Sequence, residues 1–138
     1  MKISLHVITP VKEVLKEEVD EITLPTVSGE ISVLPNHAPL LTKISPGEMT
    51  IRKSGKLEHF AITGGFLDLN NNVANILADY AVHADDIEIA KAEEAKNRAE
   101  KALKEKDKEI ESEELRTELL RTVLELKVAR KHKLRRSS

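Results

Sequence analysis

All five glycines and all five prolines of this chain precede residue 66. Gly29, Gly47, Gly55, Gly64 and Gly65 share that first half with Pro10, Pro25, Pro35, Pro39 and Pro46. From Asp85 to Ser138 there is no glycine, proline or aromatic residue, and Ala, Glu, Lys, Leu and Arg dominate. Glycine and proline punctuate short strands and turns, whereas the second composition is that of long helices. The chain therefore reads as α+β in two domains: a β-rich head over residues 1–84 and a helical arm over 85–138.

Within the head, Ile3, Leu5 and Val7 alternate with Ser4 and His6, as in a strand with one buried face. Further strands are expected at Ile22–Leu24, Ile31–Val33, Met49–Ile51, Leu57–Thr63 and Phe66–Leu69, with one or two closing strands over Val73–Ala84. Lys53-Ser54-Gly55-Lys56 reads as a hairpin turn, Gly64-Gly65 as a sheet bend, and Asn70-Asn71-Asn72 as a tight turn that tolerates left-handed backbone. Strands of this length and spacing suggest a sandwich or barrel. Its core must be aliphatic, because Phe60, Phe66 and Tyr80 are the only aromatic residues.

In the arm, Asp85 or Asp86 is placed to cap a helix start. Ala92, Ala95, Ala99 and Ala102, with Leu103 beside them, form a narrow stripe of small residues at helical spacing. The charged stretch Lys104–Glu111 follows, and Ser112 reads as a second cap. A second stripe runs through Leu115, Leu119, Thr122, Leu126 and Ala129. Two antiparallel helices would bury stripe against stripe. One continuous helix is equally allowed, because the charged connection holds no helix breaker. An alanine buries a single methyl, worth under roughly 1 kcal/mol. Such an arm is held loosely enough for a ligand at 100 times its dissociation constant, worth about 2.7 kcal/mol, to move it.

Residues 1–84 carry seven basic and ten acidic side chains, and Lys127–Arg136 holds six basic residues and no acid. That basic end should seek an acidic protein surface, anionic lipid or nucleic acid. Nucleic acid fits poorly, since the head is acidic and aromatic residues for base stacking are nearly absent. There is no cysteine, which excludes disulfides and thiolate metal sites. His6, His37, His59, His83 and His132 lack ligand spacing, so no metal is expected. There is no phosphate-binding glycine loop, and no catalytic residue is expected. The amino-terminal segment lacks the apolar core of a signal peptide and no stretch is long enough to span a membrane, so a soluble, intracellular chain is expected.

Residues 29–41, Gly-Glu-Ile-Ser-Val-Leu-Pro-Asn-His-Ala-Pro-Leu-Leu, resemble a signature of the epsilon-subunit family of F-type ATP synthases. Thr63-Gly64-Gly65-Phe66-Leu67, Asn75-Ile76-Leu77-Ala78-Asp79 and the helical Ala90–Leu103 resemble further segments of that family in the same order. The resemblance implies a ten-stranded antiparallel β-sandwich followed by a helical hairpin. It implies a non-catalytic rotor subunit at the foot of the central stalk, bound to the gamma subunit and resting on the c-subunit ring. In that role it couples proton-driven ring rotation to ATP synthesis, and its movable arm restrains ATP hydrolysis. Its place would be peripheral, on the cytoplasmic face of a bacterial inner membrane or an equivalent energy-transducing membrane, reached only through the complex.

The resemblance also implies roles for residues. Glu30 and the Asn36-His37 loop would face the c ring or gamma, against an ordinary reading as a proline-stiffened turn. Ile87-Glu88-Ile89-Ala90-Lys91-Ala92 aligns with a family ATP-binding motif, with Glu88 in place of aspartate and Lys91 in place of arginine. Arg98, Arg116 and Arg121 would reach the phosphates in a folded hairpin. Lysine lacks the planar fork of arginine, so weak or absent ATP binding is expected and no cofactor is required. The alternative is a nucleotide-sensing switch in which ATP stabilises the folded hairpin. Arg130, Lys131, Lys133, Arg135 and Arg136 would dock on an acidic segment of the catalytic beta subunit; the plain reading is a solvated helix end with cations well placed on the helix dipole.

Overall fold

In a computed structural model, residues 1–105 and 109–137 are described, with side chains for 1–105 and 113–133. The chain divides into two compact units, Met1–His83 and Ala84–Ser138. The first holds ten strands: β1 (Ile3–Ile8), β2 (Glu13–Val19), β3 (Glu21–Thr26), β4 (Gly29–Val33), β5 (Leu40–Ile44), β6 (Gly47–Lys53), β7 (Lys56–Ile62), β8 (Gly65–Asn70), β9 (Val73–Ala78) and β10 (Ala81–His83). Their order is β10-β7-β6-β3-β5-β8-β9-β1-β2, with β4 paired to β3. Every pair is antiparallel except β1–β9, which is parallel.

Alternation explains the core. Ile3, Leu5 and Val7 of β1, Leu67 and Leu69 of β8, and Ile76 of β9 all point inward and are fully or almost fully buried. Apart from Met49 and Phe60 the cluster is aliphatic, as the shortage of aromatics requires. The sheet curls back so that β2 approaches β6. There Lys53 Nζ donates to Glu17 Oε2 at 3.0 Å, and the Ser54 N–H donates to Asp20 Oδ2 at 2.8 Å. The Lys2 ammonium lies 2.9 Å from Asp20 Oδ1. Together with the Ser54 N–H it holds the half-buried Asp20 carboxyl below the usual carboxylate range.

Turn chemistry follows from residue type. Ser54 and Gly55 (φ 52° and 80°) and Asn71 and Asn72 (φ 51° and 61°) put two consecutive residues in the left-handed region, as a two-residue hairpin requires. Gly64 and Gly65 have φ of 137° and 141° and join β7 to β8. The Gly64 carbonyl accepts from the Asp79 N–H at 3.0 Å.

In the second unit a short 3-10 turn, Ala84–Asp86, precedes α1 (Ile89–Glu105) and α2 (Glu109–Ser137). The helices pack on one another. Ala92 and Ala99 are buried on α1, and Thr122, Leu126 and Ala129 on α2, so the alanine and leucine stripes are the faces covered. The choice between one rod and two helices thus falls to two.

Both expected caps are corrected. Asp85 and Asp86 lie in the 3-10 turn, and the first α-helical hydrogen bond runs from the Ala92 N–H to the Glu88 carbonyl at 3.0 Å. Ser112 lies inside α2, because the glutamates around it are good helix formers and leave nothing to stop the helix short of Glu109. The Ser112 side chain is outside the described residues.

Candidate docking surfaces

Glu30 is exposed on β4 opposite Pro25. Asn36 and His37 are exposed in the loop after β4, so the three residues stand at opposite ends of the strand rather than in one cluster. The loop is fixed from a distance. Asn36, at φ 64°, donates its N–H to Asn72 Oδ1 at 2.8 Å, and Asn72 Nδ2 donates to the Lys2 carbonyl at 2.8 Å. The His37 N–H donates to the Leu34 carbonyl at 3.1 Å, closing the turn. His37 Nδ1 lies 2.7 Å from the Ala38 carbonyl. A carbonyl only accepts, so Nδ1 carries a proton in this contact and Nε2 is the other polar tip of the ring.

A second surface had no place among the expected sites. On the outer face of the sheet, register places Lys43 opposite Phe66, Phe66 opposite Leu77, and Leu77 opposite Ile8. This single rung crosses β5, β8, β9 and β1. Phe66 is 52% exposed, Leu77 54% and Ile8 36%. The rung is flanked by Val27 (62%), whose N–H donates to the Lys43 carbonyl at 3.1 Å, and by Val11 (90%) in the Thr9–Lys12 turn. Leu41, 73% exposed, lies one rung below on the same face as Lys43. Single exposed apolar residues are ordinary, whereas a contiguous band marks an interaction surface. The sequence signal was the doublets Val7-Ile8, Phe66-Leu67 and Ile76-Leu77. Neighbours in a strand face opposite ways, so a doublet makes both faces apolar.

In the helical unit, Glu88 and Lys91 are exposed and lie 3.2 Å apart as an ion pair, and Ala92 is buried between the helices' flanks. Arg98 pairs at 4.0 Å with Glu94, and Arg121 at 3.6 Å with Glu125, each on its own helix. Arg116 is exposed on α2. Of the candidate nucleotide residues, Glu88, Lys91, Arg98 and Arg121 therefore sit in local ion pairs. At the basic end, Arg130 Nη2 donates to Glu93 Oε1 of α1, and Lys133 Nζ donates to the Ile87 carbonyl. Lys131 is exposed. The side chains of Arg135 and Arg136 lie outside the described residues. Among the described residues no helix is long and apolar enough to cross a membrane.

Comparison with known proteins bears on both units. A family model described as the ATP synthase delta/epsilon chain beta-sandwich domain matches residues 2–84. The ATP synthase epsilon chain of Geobacter sulfurreducens is 44% identical over 103 residues, 75% of each chain. That of Herpetosiphon aurantiacus is 43% identical over 104 residues, 75% of this chain and 76% of the relative. Among solved structures, a chain of the Euglena gracilis mitochondrial ATP synthase (OSCP/F1/c-ring, rotational state 1) superposes with a TM-score of 0.72 at 27% identity, covering 95% of this chain and 82% of that one. A chain of the Tetrahymena thermophila mitochondrial ATP synthase central stalk and c-ring shares the fold, with a TM-score of 0.58 at 16% identity over 94% and 97% of the two chains.

Proposed function

The chain belongs to the epsilon-subunit family of F-type ATP synthases, and from that membership we propose a non-catalytic rotor subunit that links the turning c ring to the catalytic hexamer. It joins the complex peripherally. The observation that carries this reading is the apolar rung Phe66–Leu77–Ile8 with Val27 and Val11 at its flanks. A torque-bearing joint needs a contact that salt does not screen, and an apolar face supplies one. The gamma subunit is the partner proposed for it. Glu30, Asn36 and His37 supply polar contacts toward gamma and the ring, where charge-assisted hydrogen bonds suit a polar loop. Because they stand at the two ends of β4, they serve two contacts rather than one.

Coexpression with the gamma subunit tests the reading. The full chain is expected to copurify with gamma and to remain bound through a high-salt wash. A chain that elutes alone, or that instead binds nucleic acid with steep salt dependence, would overturn it.

For the arm we propose restraint of ATP hydrolysis, with the basic end docking on an acidic segment of the beta subunit. ATP itself is at most a weak regulatory ligand, because Glu88 and Lys91 stand where the family motif has aspartate and arginine, and lysine lacks the planar fork that grips a phosphate. Titration calorimetry of the full chain with ATP is expected to give no saturable heat in the micromolar range. A micromolar dissociation constant would favour the nucleotide-sensing switch instead.

A further inference from the structure

We propose that Asn72 is the positioning residue of the Asn36-His37 loop, its one carboxamide joining that loop to the start of β1 and so fixing where the His37 ring is presented. The proposal rests on the reading of the loop as a contact with gamma or the ring, and it adds what holds that contact in place.

Asn72 ends the Asn71-Asn72 turn between β8 and β9, at φ 61°. Asparagine tolerates such a backbone and glycine does so more readily, so the side chain is what asparagine adds here. Both ends of its carboxamide are engaged: Oδ1 accepts from the Asn36 N–H and Nδ2 donates to the Lys2 carbonyl, each at 2.8 Å. The Asn72 main-chain carbonyl also accepts from the Ser4 N–H at 3.2 Å. Residues 36 and 70 positions away in the chain are thus tied to one turn. An aspartate would keep the acceptor and lose the donor; a glycine would lose both. The far end of the bond is equally constrained. Pro35 and Pro39 have no N–H to give, and the His37 N–H is taken by the Leu34 carbonyl within the same turn. The Asn36 N–H is the donor that reaches another segment, and Asn36 itself sits at φ 64°. His37 follows directly, with Nδ1 on the neighbouring Ala38 carbonyl, so the ring goes where the loop backbone goes. The turn that carries Asn72 also joins the two strands that present Phe66 and Leu77. One hairpin therefore sets the apolar rung and the polar loop at a fixed spacing. A loop ordered before contact also loses less freedom on binding.

The experiment uses the full chain and a detergent-solubilised complex of gamma with the c ring. Asn72→Gly keeps the turn and removes both side-chain bonds. Asn72→Asp keeps the acceptor for Asn36, and Asn71→Gly makes the glycine change at the neighbouring, exposed turn position. Hydrogen exchange follows the Asn36 amide. The nitrogen NMR spectrum of the His37 ring, recorded at about pH 8 where imidazole is neutral, distinguishes a proton on Nδ1 from one on Nε2. Asn72→Gly is expected to speed exchange at Asn36 about tenfold, to shift the His37 signals away from the Nδ1-protonated form, and to weaken binding to the complex about fivefold. Asn72→Asp should hold the Asn36 amide close to the parent, and Asn71→Gly should match the parent in all three readouts. The assignment to Asn72 is overturned if Asn72→Gly leaves Asn36 exchange and the His37 spectrum unchanged, if Asn71→Gly reproduces its effects, or if Asn72→Asp exchanges as fast as Asn72→Gly. If the loop loosens but binding holds, the positioning role stands and the reading of the loop as a partner contact falls.

Discussion

Gly65→Ala is expected to cost about 4 kcal/mol or more, enough to unfold the sandwich or leave it marginal. A Cβ at this position would lie 2.1 Å from the Leu77 carbonyl oxygen and 2.8 Å from Ala78 Cα. Both obstacles are main chain on the adjacent strand β9, where Gly65 pairs with Ala78. No rotamer change relieves the clash; β8 and β9 must separate. The φ of 141° adds conformational strain. Gly29→Ala and Gly55→Ala provide the comparison. Both residues have positive φ, yet a Cβ on either meets nothing within 4 Å, so each should cost only about 1 kcal/mol of strain. Thermal or denaturant unfolding of the three variants checks the ranking. A Gly65→Ala variant melting within a few degrees of the parent would show that the two strands part more easily than their register implies.

Combining Phe66→Glu with Leu77→Glu is expected to weaken binding to the gamma subunit by about 100-fold or more while leaving the fold intact. The two side chains face each other across β8 and β9 and are both about half exposed. Neither belongs to the buried cluster, so substitution leaves little cavity behind. Adjacent carboxylates at the centre of an apolar contact must be desolvated without a counter-charge, a cost that exceeds the lost burial alone. Leu57→Glu is the control: Leu57 is equally exposed, at 54%, but lies on β7, away from the band. Its gamma binding should be unchanged. Copurification and a titrated binding curve check the effect, and circular dichroism checks the fold. A double variant that still binds like the parent would move the joint to another face.

Much of this architecture was legible in the residues. The alternation at Ile3-Leu5-Val7, the turns at Ser54-Gly55 and Asn71-Asn72, and the paired stripes of the arm are local signals that the fold obeys. Two strands escaped because tertiary placement made them. β2, with sequence EVLKEEV, carries no clean alternation and half-buries Val14 and Leu15 beside β1. Its charges suit an edge strand, where they discourage pairing with another chain. β5 begins directly after Pro39, and its Leu40-Leu41 doublet hides the period. The parallel β1–β9 pair joins residues about seventy positions apart, and no nearby pattern announces it. At the candidate sites, Glu30, Asn36 and His37 were found as residues, but their separation along β4 was not. The apolar band was not legible because an apolar doublet marks a strand but carries no information on what covers its second face. The pairing of Arg130 with Glu93 was out of reach for the same reason, since it depends on the register between two helices.

The parallel pair has a consequence for biosynthesis. β1 leaves the ribosome before the other nine strands of the head, yet its place is between β2 and β9. It can form a hairpin with β2 at once, but that hairpin waits as a two-stranded fragment until Ala78 has emerged and β9 can close beside it. Nascent chains stalled before that point carry an unsealed sheet, and the head becomes a single cooperative body only when nearly all of it has been made.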